Sequence, residues 1–185
     1  MRVYFVTSND KKFEEASKVF SSFAIKLERI NRKYVEIQAD KLEEVAEFSA
    51  RYLMDNTPKP FILEDSGLFI DALKGFPGVY SSYVFRTIGL QGVLSLMEGK
   101  SNRGARFLSV VAVVHNNEVV LCRGVCEGHI SHTARGHGGF GFDPIFIPRG
   151  EKRTFAEMSA ADKNAYSHRG KSMRLAAKYI AENMD

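Results

Sequence analysis

Met1-Arg2-Val3-Tyr4-Phe5-Val6 passes through three polar residues, Thr7-Ser8-Asn9, straight into a helical pattern, and that junction limits the folds open to this chain. Arg2 to Val6 is a near-continuous apolar run rich in β-formers, which predicts a strand buried on both faces. Beyond it Phe13, Ala16, Phe20 and Phe23 recur at helical spacing, which predicts a helix over about 10–22. A strand feeding a helix through a polar turn places the helix's unpaired N–H groups and partial positive charge at the turn. Lys11 and Lys12 in the first turn oppose that dipole. An anion that engages both would account for them; solvated surface lysines are the alternative.

A chain of 185 residues supports one domain with a substantial core, here 1–185. The N-terminal apolar run is too short for a signal peptide, and no stretch approaches the roughly 20 apolar residues of a membrane span. A cytoplasmic protein with no membrane partner is therefore expected. Cys122 and Cys126 sit in one strand-like segment, about 13 Å apart on one face, too far for a disulfide. The paired ligands of a zinc site are missing, so the two read as small core residues. The net charge of +4 raises the question of nucleic acid, but basic residues alternate with acids in most segments. Only 149–153 and 163–171 are locally basic, which describes one anion-binding patch rather than a nucleic-acid face.

The remaining pattern describes an α/β or α+β domain, helices around an extended mixed sheet. A second strand is expected over 25–30. Asp40-Lys41-Leu42-Glu43 reads as a capping box opening a helix whose apolar face is Leu42, Val45, Ala46 and Leu53. Phe61-Ile62-Leu63 reads as a short buried strand stopping at Glu64-Asp65-Ser66-Gly67. Helical segments are expected around Tyr83 and over 93–97, after the Gly/Pro loop 74–82. Two long strands, 107–114 and 119–130, are joined at Asn116-Asn117; a short strand covers 145–147 and a last helix 167–183.

The chemistry-bearing residues concentrate near the C-terminus. Gly139-Phe140-Gly141-Phe142-Asp143-Pro144 offers an aromatic plane and a carboxylate, and Lys163 through Arg169 offers Lys, His and Arg together. Aromatic planes suit nucleobases and clustered cations suit phosphates. Gly136, Gly138, Gly139 and Gly141 are read as a flexible loop able to close over a ligand. Glu36, Glu64 and Asp65 are the candidate acid cluster, of the kind that holds Mg²⁺ together with substrate phosphates or serves as base for a water; capping or surface roles are the alternative for each.

Six collinear segments resemble the inosine triphosphate pyrophosphatase family: Thr7-Ser8-Asn9 through Lys12, Glu64 through Gly67, Gly75 through Ser81, Phe140 through Pro144, Thr154 through Met158, and Lys163 through Arg169. The resemblance implies an elongated mixed sheet with two lobes and a cleft between them, a homodimer, and Mg²⁺-dependent hydrolysis of ITP, dITP and XTP to the monophosphate and pyrophosphate. It implies that Thr7, Ser8, Asn9 and Lys12 contact the triphosphate, with Ser66 and Gly67 supporting it. Glu36 and Asp65 would serve metal and water, Asp65 as general base. Phe140 would stack on the purine, while Asp143, Lys163, His168 and Arg169 grip its edge. Ser8 stands where many relatives have Gly, and Tyr83 follows Ser81-Ser82 where bacterial relatives tend to have Ala-Arg. A pyrophosphatase for other nucleotides and a non-catalytic nucleotide-binding module are the competing readings.

Overall fold

In the computed structural model, which describes residues 1–184, strand β1 (Arg2–Val6) lies between two parallel neighbours, β2 (Lys26–Ile30) and β3 (Phe61–Ile70). Strands β4 (Gly104–His115), β5 (Glu118–Ile130) and β6 (Phe146–Pro148) follow antiparallel, giving the order β2-β1-β3-β4-β5-β6. The hairpin between β4 and β5 turns at Asn116-Asn117, both with left-handed φ (49° and 62°), as a tight two-residue turn requires.

Polarity predicts an end to β3 at Leu63, and here the structure differs. The strand runs ten residues, straight through Glu64-Asp65-Ser66-Gly67. It can do so because partners for its polar groups are supplied: β4 accompanies it from Phe61 opposite Val114 to Ile70 opposite Ala105, and Ser109 Oγ donates to Glu64 Oε1 at 2.6 Å. By contrast β1 pairs with β3 only at Tyr4–Phe5 opposite Phe61–Ile62. Past Leu63, β3 has therefore lost one neighbour, and its vacated edge opens onto a cleft.

Two lobes flank that cleft. In the first, α1 (Asp10–Ser21) and α6 (His168–Asn183) cover one sheet face through Ala16, Phe20, Met173 and Ile180 against Phe5, Ile62 and Val111. On the opposite face α2 (Leu42–Leu53) packs Leu42, Ala46 and Leu53 against Phe61, Leu63 and Ala112. The second lobe is the far half of β3–β5 with β6, α3 (Ser81–Thr87) and α4 (Gly89–Leu96), around Leu68, Phe107, Phe146 and Phe155. Each such fully buried apolar side chain contributes about 1.5–3 kcal/mol over its exposed state.

Two local expectations change. Helix α2 starts after Lys41 with no side-chain cap, so the Asp40 capping box does not form; its buried apolar stripe holds it instead. A further helix, α5 (Ala160–Tyr166), precedes α6, capped where Ser159 accepts from Asp162 N. Cys122 and Cys126 are core residues of the first and second lobe, and burial pushes both thiols up to about 11. Among the described residues no helix is long and apolar enough to cross a membrane.

Candidate active site

The floor of the cleft is the polar middle of β3, whose alternation sends Glu64 and Ser66 to the α1/α6 face and Asp65 to the other. Glu64 is sealed in: Lys12 Nζ stands 2.8 Å from Oε2, Arg169 Nε 3.2 Å from Oε1, and Ser109 Oγ donates at 2.6 Å. Burial alone would raise its proton affinity, but Arg169 and Lys12 outweigh it and hold the carboxyl well below the usual carboxylate range. Lys12 Nζ also donates to the Glu64 carbonyl at 3.1 Å. The anion that accounts for Lys12 is thus an internal carboxylate, while Lys11 turns outward to Glu14.

The network continues behind this contact. Arg169 Nη1 donates to Glu15 Oε2 at 2.6 Å and Nη2 to Ser66 Oγ at 3.0 Å; Lys163 Nζ donates at 2.7 Å to both Glu15 Oε1 and Asp143 Oδ2. Burial would lift the Glu15 carboxyl, yet Arg169 and Lys163 bring it below its ordinary value. Three cations (Lys12, Lys163, Arg169) therefore meet three carboxylates (Glu15, Glu64, Asp143).

One end of the cleft is aromatic. Lys163 Nζ and the Arg169 guanidinium lie 4.9 Å and 5.0 Å from the centre of the partly exposed Phe140 ring. The Phe140 N–H donates to Asp143 Oδ2 at 2.8 Å, and burial draws that carboxyl upward against the pull of Lys163. This contact explains Gly139: its φ is +70°, and a Cβ there would stand 2.1 Å from Asp143 Oδ2. The glycine is required here by close approach as well as by its backbone conformation. Phe142 is a core aromatic, edge-on to Phe85 at 5.4 Å. His168 is buried and stacked on Phe107 (4.5 Å, 10°); burial, then Arg169, keeps its imidazole neutral, and Nδ1 has no hydrogen-bond partner among the described residues.

The other end carries the acids. Burial pushes the Asp65 carboxyl up to about 7, Lys12 opposing and Glu36 and Glu64 assisting, while Ser66 N donates to Oδ1 at 2.9 Å. Glu36 and Tyr34 belong to the irregular segment 31–40 on the opposite wall. Burial, with the charges of Asp65 and Glu36, raises the Tyr34 phenol well above its ordinary value, so it keeps its proton. Among the described residues no three His, Cys, Asp or Glu side chains gather into a metal cage. Two carboxylates whose charges feel one another, facing a cleft, nevertheless fit Mg²⁺, which takes one or two carboxylates and completes its shell with water and phosphate oxygens.

Thr7, Ser8 and Asn9 line this end. Thr7 Oγ1 accepts from Asn9 N, and Asn9 Oδ1 caps α1 by accepting from Lys12 N, both at 3.1 Å. Gly67 lets β3 meet the turn at Gly78: a Cβ would lie 2.2 Å from Gly78 O. Ser81 Oγ locks the junction, donating to Gly78 O at 2.7 Å and accepting from Leu68 N at 2.8 Å. The cleft holds about 600 Å³, a ligand-sized volume.

Twelve of the thirteen anticipated site residues line this one cleft: Thr7, Ser8, Asn9, Lys12, Glu36, Asp65, Ser66, Gly67, Phe140, Asp143, His168 and Arg169. Lys163 does not; it is buried behind Asp143 and Phe140. Arg32, Lys33, Tyr34 and Arg86 line the cleft without having been anticipated, and Glu15 braces it. Glu15 had a legible signal, being one turn from Lys12 at the margin of the apolar stripe of α1. Tyr83 is 61% exposed and lies off the cleft.

An α/β sheet with an aromatic plane and a pair of carboxylates lining one interlobe cleft defines a nucleotide-binding protein equipped for acid–base chemistry. The chain belongs to the Ham1 family, whose sequence profile matches residues 3–179. It is 52% identical over 184 residues to a dITP/XTP pyrophosphatase of Thermococcus kodakarensis, covering 100% of both chains, and 42% identical over 180 residues to one of Saccharolobus solfataricus, covering 97% and 94%. Its fold is similar to that of a HAM1 protein from Coxiella burnetii (TM-score 0.87, 32% identity, 98% and 99% coverage). A Mycobacterium abscessus nucleoside-triphosphatase / dITP/XTP pyrophosphatase also aligns (TM-score 0.73, 34% identity, 96% and 97% coverage).

Proposed function

We propose that this chain hydrolyses ITP, dITP and XTP to the nucleoside monophosphate and pyrophosphate, with Mg²⁺, as a cytoplasmic homodimer whose partner is a free nucleotide and not a nucleic acid. The observation that carries the reading is the make-up of the cleft: Phe140 shares about 600 Å³ with Asp65, Glu36 and the Thr7–Asn9 turn.

Asp65 is poised as the base. A carboxylate with proton affinity near neutrality can accept a proton from a water and still be ionised in a useful fraction of molecules. Water adds across the α–β anhydride bridge, its proton passing to an Asp65 oxygen, and pyrophosphate departs. Glu36 and Asp65 would hold the metal, which when bound neutralises polyphosphate charge and aids the leaving pyrophosphate. Ser66 keeps Asp65 aimed through its N–H, and Lys12 holds the turn of α1 against β3.

Base selection follows from donors. Arg169, which lines the cleft 5.0 Å from the Phe140 ring centre, has five N–H groups and gives one each to Glu64, Glu15 and Ser66, so the aromatic side keeps donors to offer. Hypoxanthine and xanthine bring a 6-keto acceptor to it, whereas adenine brings a 6-amino donor left unpaired. Pyrophosphate release with Mg²⁺ from ITP, dITP, XTP, GTP, ATP, CTP and UTP tests the reading. At least about a hundredfold preference for ITP, dITP and XTP over ATP is expected; equal rates would remove the specificity, and no release would remove the activity.

A further inference from the structure

The charges of the cleft fall into two groups. Lys12, Lys163 and Arg169 are each in contact with a fixed carboxylate, and their three partners cancel them. Counted as formal charges, that network is neutral. Three further cations line the same cleft, and among the described residues none has a carboxylate partner: Arg32, Lys33 and Arg86. Arg32 Nη1 is tied to the Asn56 carbonyl at 3.2 Å. Lys33 sits on the segment that carries Glu36, on the first-lobe wall.

Arg86 is on the opposite lobe. Its Nε donates to Ser82 O at 3.3 Å, one turn earlier on α3, so the side chain folds back along the helix toward its start. The start of α3 is where Ser81 is fastened to Leu68 N and Gly78 O, next to Ser66-Gly67. The guanidinium is thereby held near the start of α3, where it lines the cleft. An exposed arginine held only by a carbonyl adds little to stability, and its planar donor fork is suited to phosphate oxygens.

We propose that Arg86 is a phosphate-binding residue of this cleft, a second-lobe guanidinium that takes the substrate's polyphosphate across from Lys33 on the first lobe. The assignment rests on the pyrophosphatase reading for the identity of the substrate, but not for the existence of the polyphosphate site. It makes the substrate a bridge between lobes: Arg86 and Lys33 approach only what lies between them, in addition to Lys12 and Arg169 on the floor.

The test uses the full-length protein with Mg²⁺ and inorganic tripolyphosphate as probe, titrated calorimetrically, beside dITP hydrolysis. Arg86→Ala is expected to weaken tripolyphosphate about tenfold or more, the worth of one charge-assisted contact, with an unchanged thermal midpoint. Arg86→Lys should recover part of that loss, since it restores the charge without the fork. The KM for dITP should rise in Arg86→Ala with kcat largely kept. Tripolyphosphate binding by Arg86→Ala within twofold of wild type would overturn the assignment, as would a wild type that binds no tripolyphosphate. A wild type that binds tripolyphosphate in an Arg86-dependent way but cleaves no nucleotide would leave Arg86 assigned and remove the pyrophosphatase reading alone.

Discussion

Asp65→Asn is expected to make the protein more stable and nearly inactive at once. The wild-type carboxyl is held at about 7 in the folded protein, mainly by burial, against about 3.9 in an unfolded chain. A carboxyl raised on folding favours the folded state while protonated, and that advantage drains away as pH climbs from about 4 to about 7. Above pH 7 the folded protein carries a charge it would rather not hold, at a cost of up to about 4 kcal/mol at 1.36 kcal/mol per pH unit. Asp65 is partly exposed and its Oδ1 keeps the Ser66 N–H, so roughly half, about 2 kcal/mol, is the expected gain on neutralising it. For a chain of this size that is roughly 4–8 °C in thermal midpoint. Calorimetric scans of metal-free wild type and variant at pH 8, 5 and 4 should show the gap at pH 8, less than half of it at pH 5, and almost none at pH 4. Turnover of dITP at pH 8 should fall by about 10²–10⁴, the usual contribution of a general base. A variant no more stable than wild type at pH 8, or a gap indifferent to pH, would refute the burial argument; retained turnover would remove Asp65 from the base role.

Glu64→Gln removes the carboxylate shared by Lys12 and Arg169 and should cost about 3–5 kcal/mol in denaturant unfolding at pH 7. Because Glu64 is held below the ordinary carboxylate range, its contribution is complete above about pH 4.3 and lost on further acidification; the variant should lack that acid slope. Phe140→Ala should weaken ITP binding by about 1–3 kcal/mol, the worth of a base stack, and leave tripolyphosphate titrations unchanged. Gly67→Ala drives a methyl into Gly78 O, so a loss of about 1–3 kcal/mol in thermal stability and slower turnover are expected as the turn carrying α3 is displaced.

Local patterning carried much of the architecture. Strand β1, the turn at Thr7–Asn9 and α1 follow from an apolar run and a helical repeat, and the β4–β5 hairpin from two long apolar runs around Asn-Asn. The motif residues also named the cleft, since Phe140, Asp65 and Arg169 meet there. What patterning missed is what depends on distant partners. Glu64 looks like a strand end because nothing nearby in sequence can satisfy it; its partners come from Lys12, 52 residues before it, and Arg169, 105 residues after it. Lys163 is legible as a cation but not as one turned inward onto Glu15 and Asp143. Arg86 follows no motif on a seven-residue helix, and only the fold brings it to the cleft. Gly139 is visible as a glycine, whereas the carboxylate pressed against it is not.

Strands β3, β4 and β5 run unbroken through both lobes, so the lobes share a beam and not a linker. Any rocking of one lobe against the other must flex that beam near its middle, where Glu64, Asp65 and Ser109 lie. Residues at the fulcrum of a lever scarcely travel, while those at its tips travel furthest. The acid–hydroxyl block therefore keeps its spacing through such a stroke. Loading of substrate and alignment of the base are in this way mechanically decoupled: the rim can gape and shut without detuning the fulcrum.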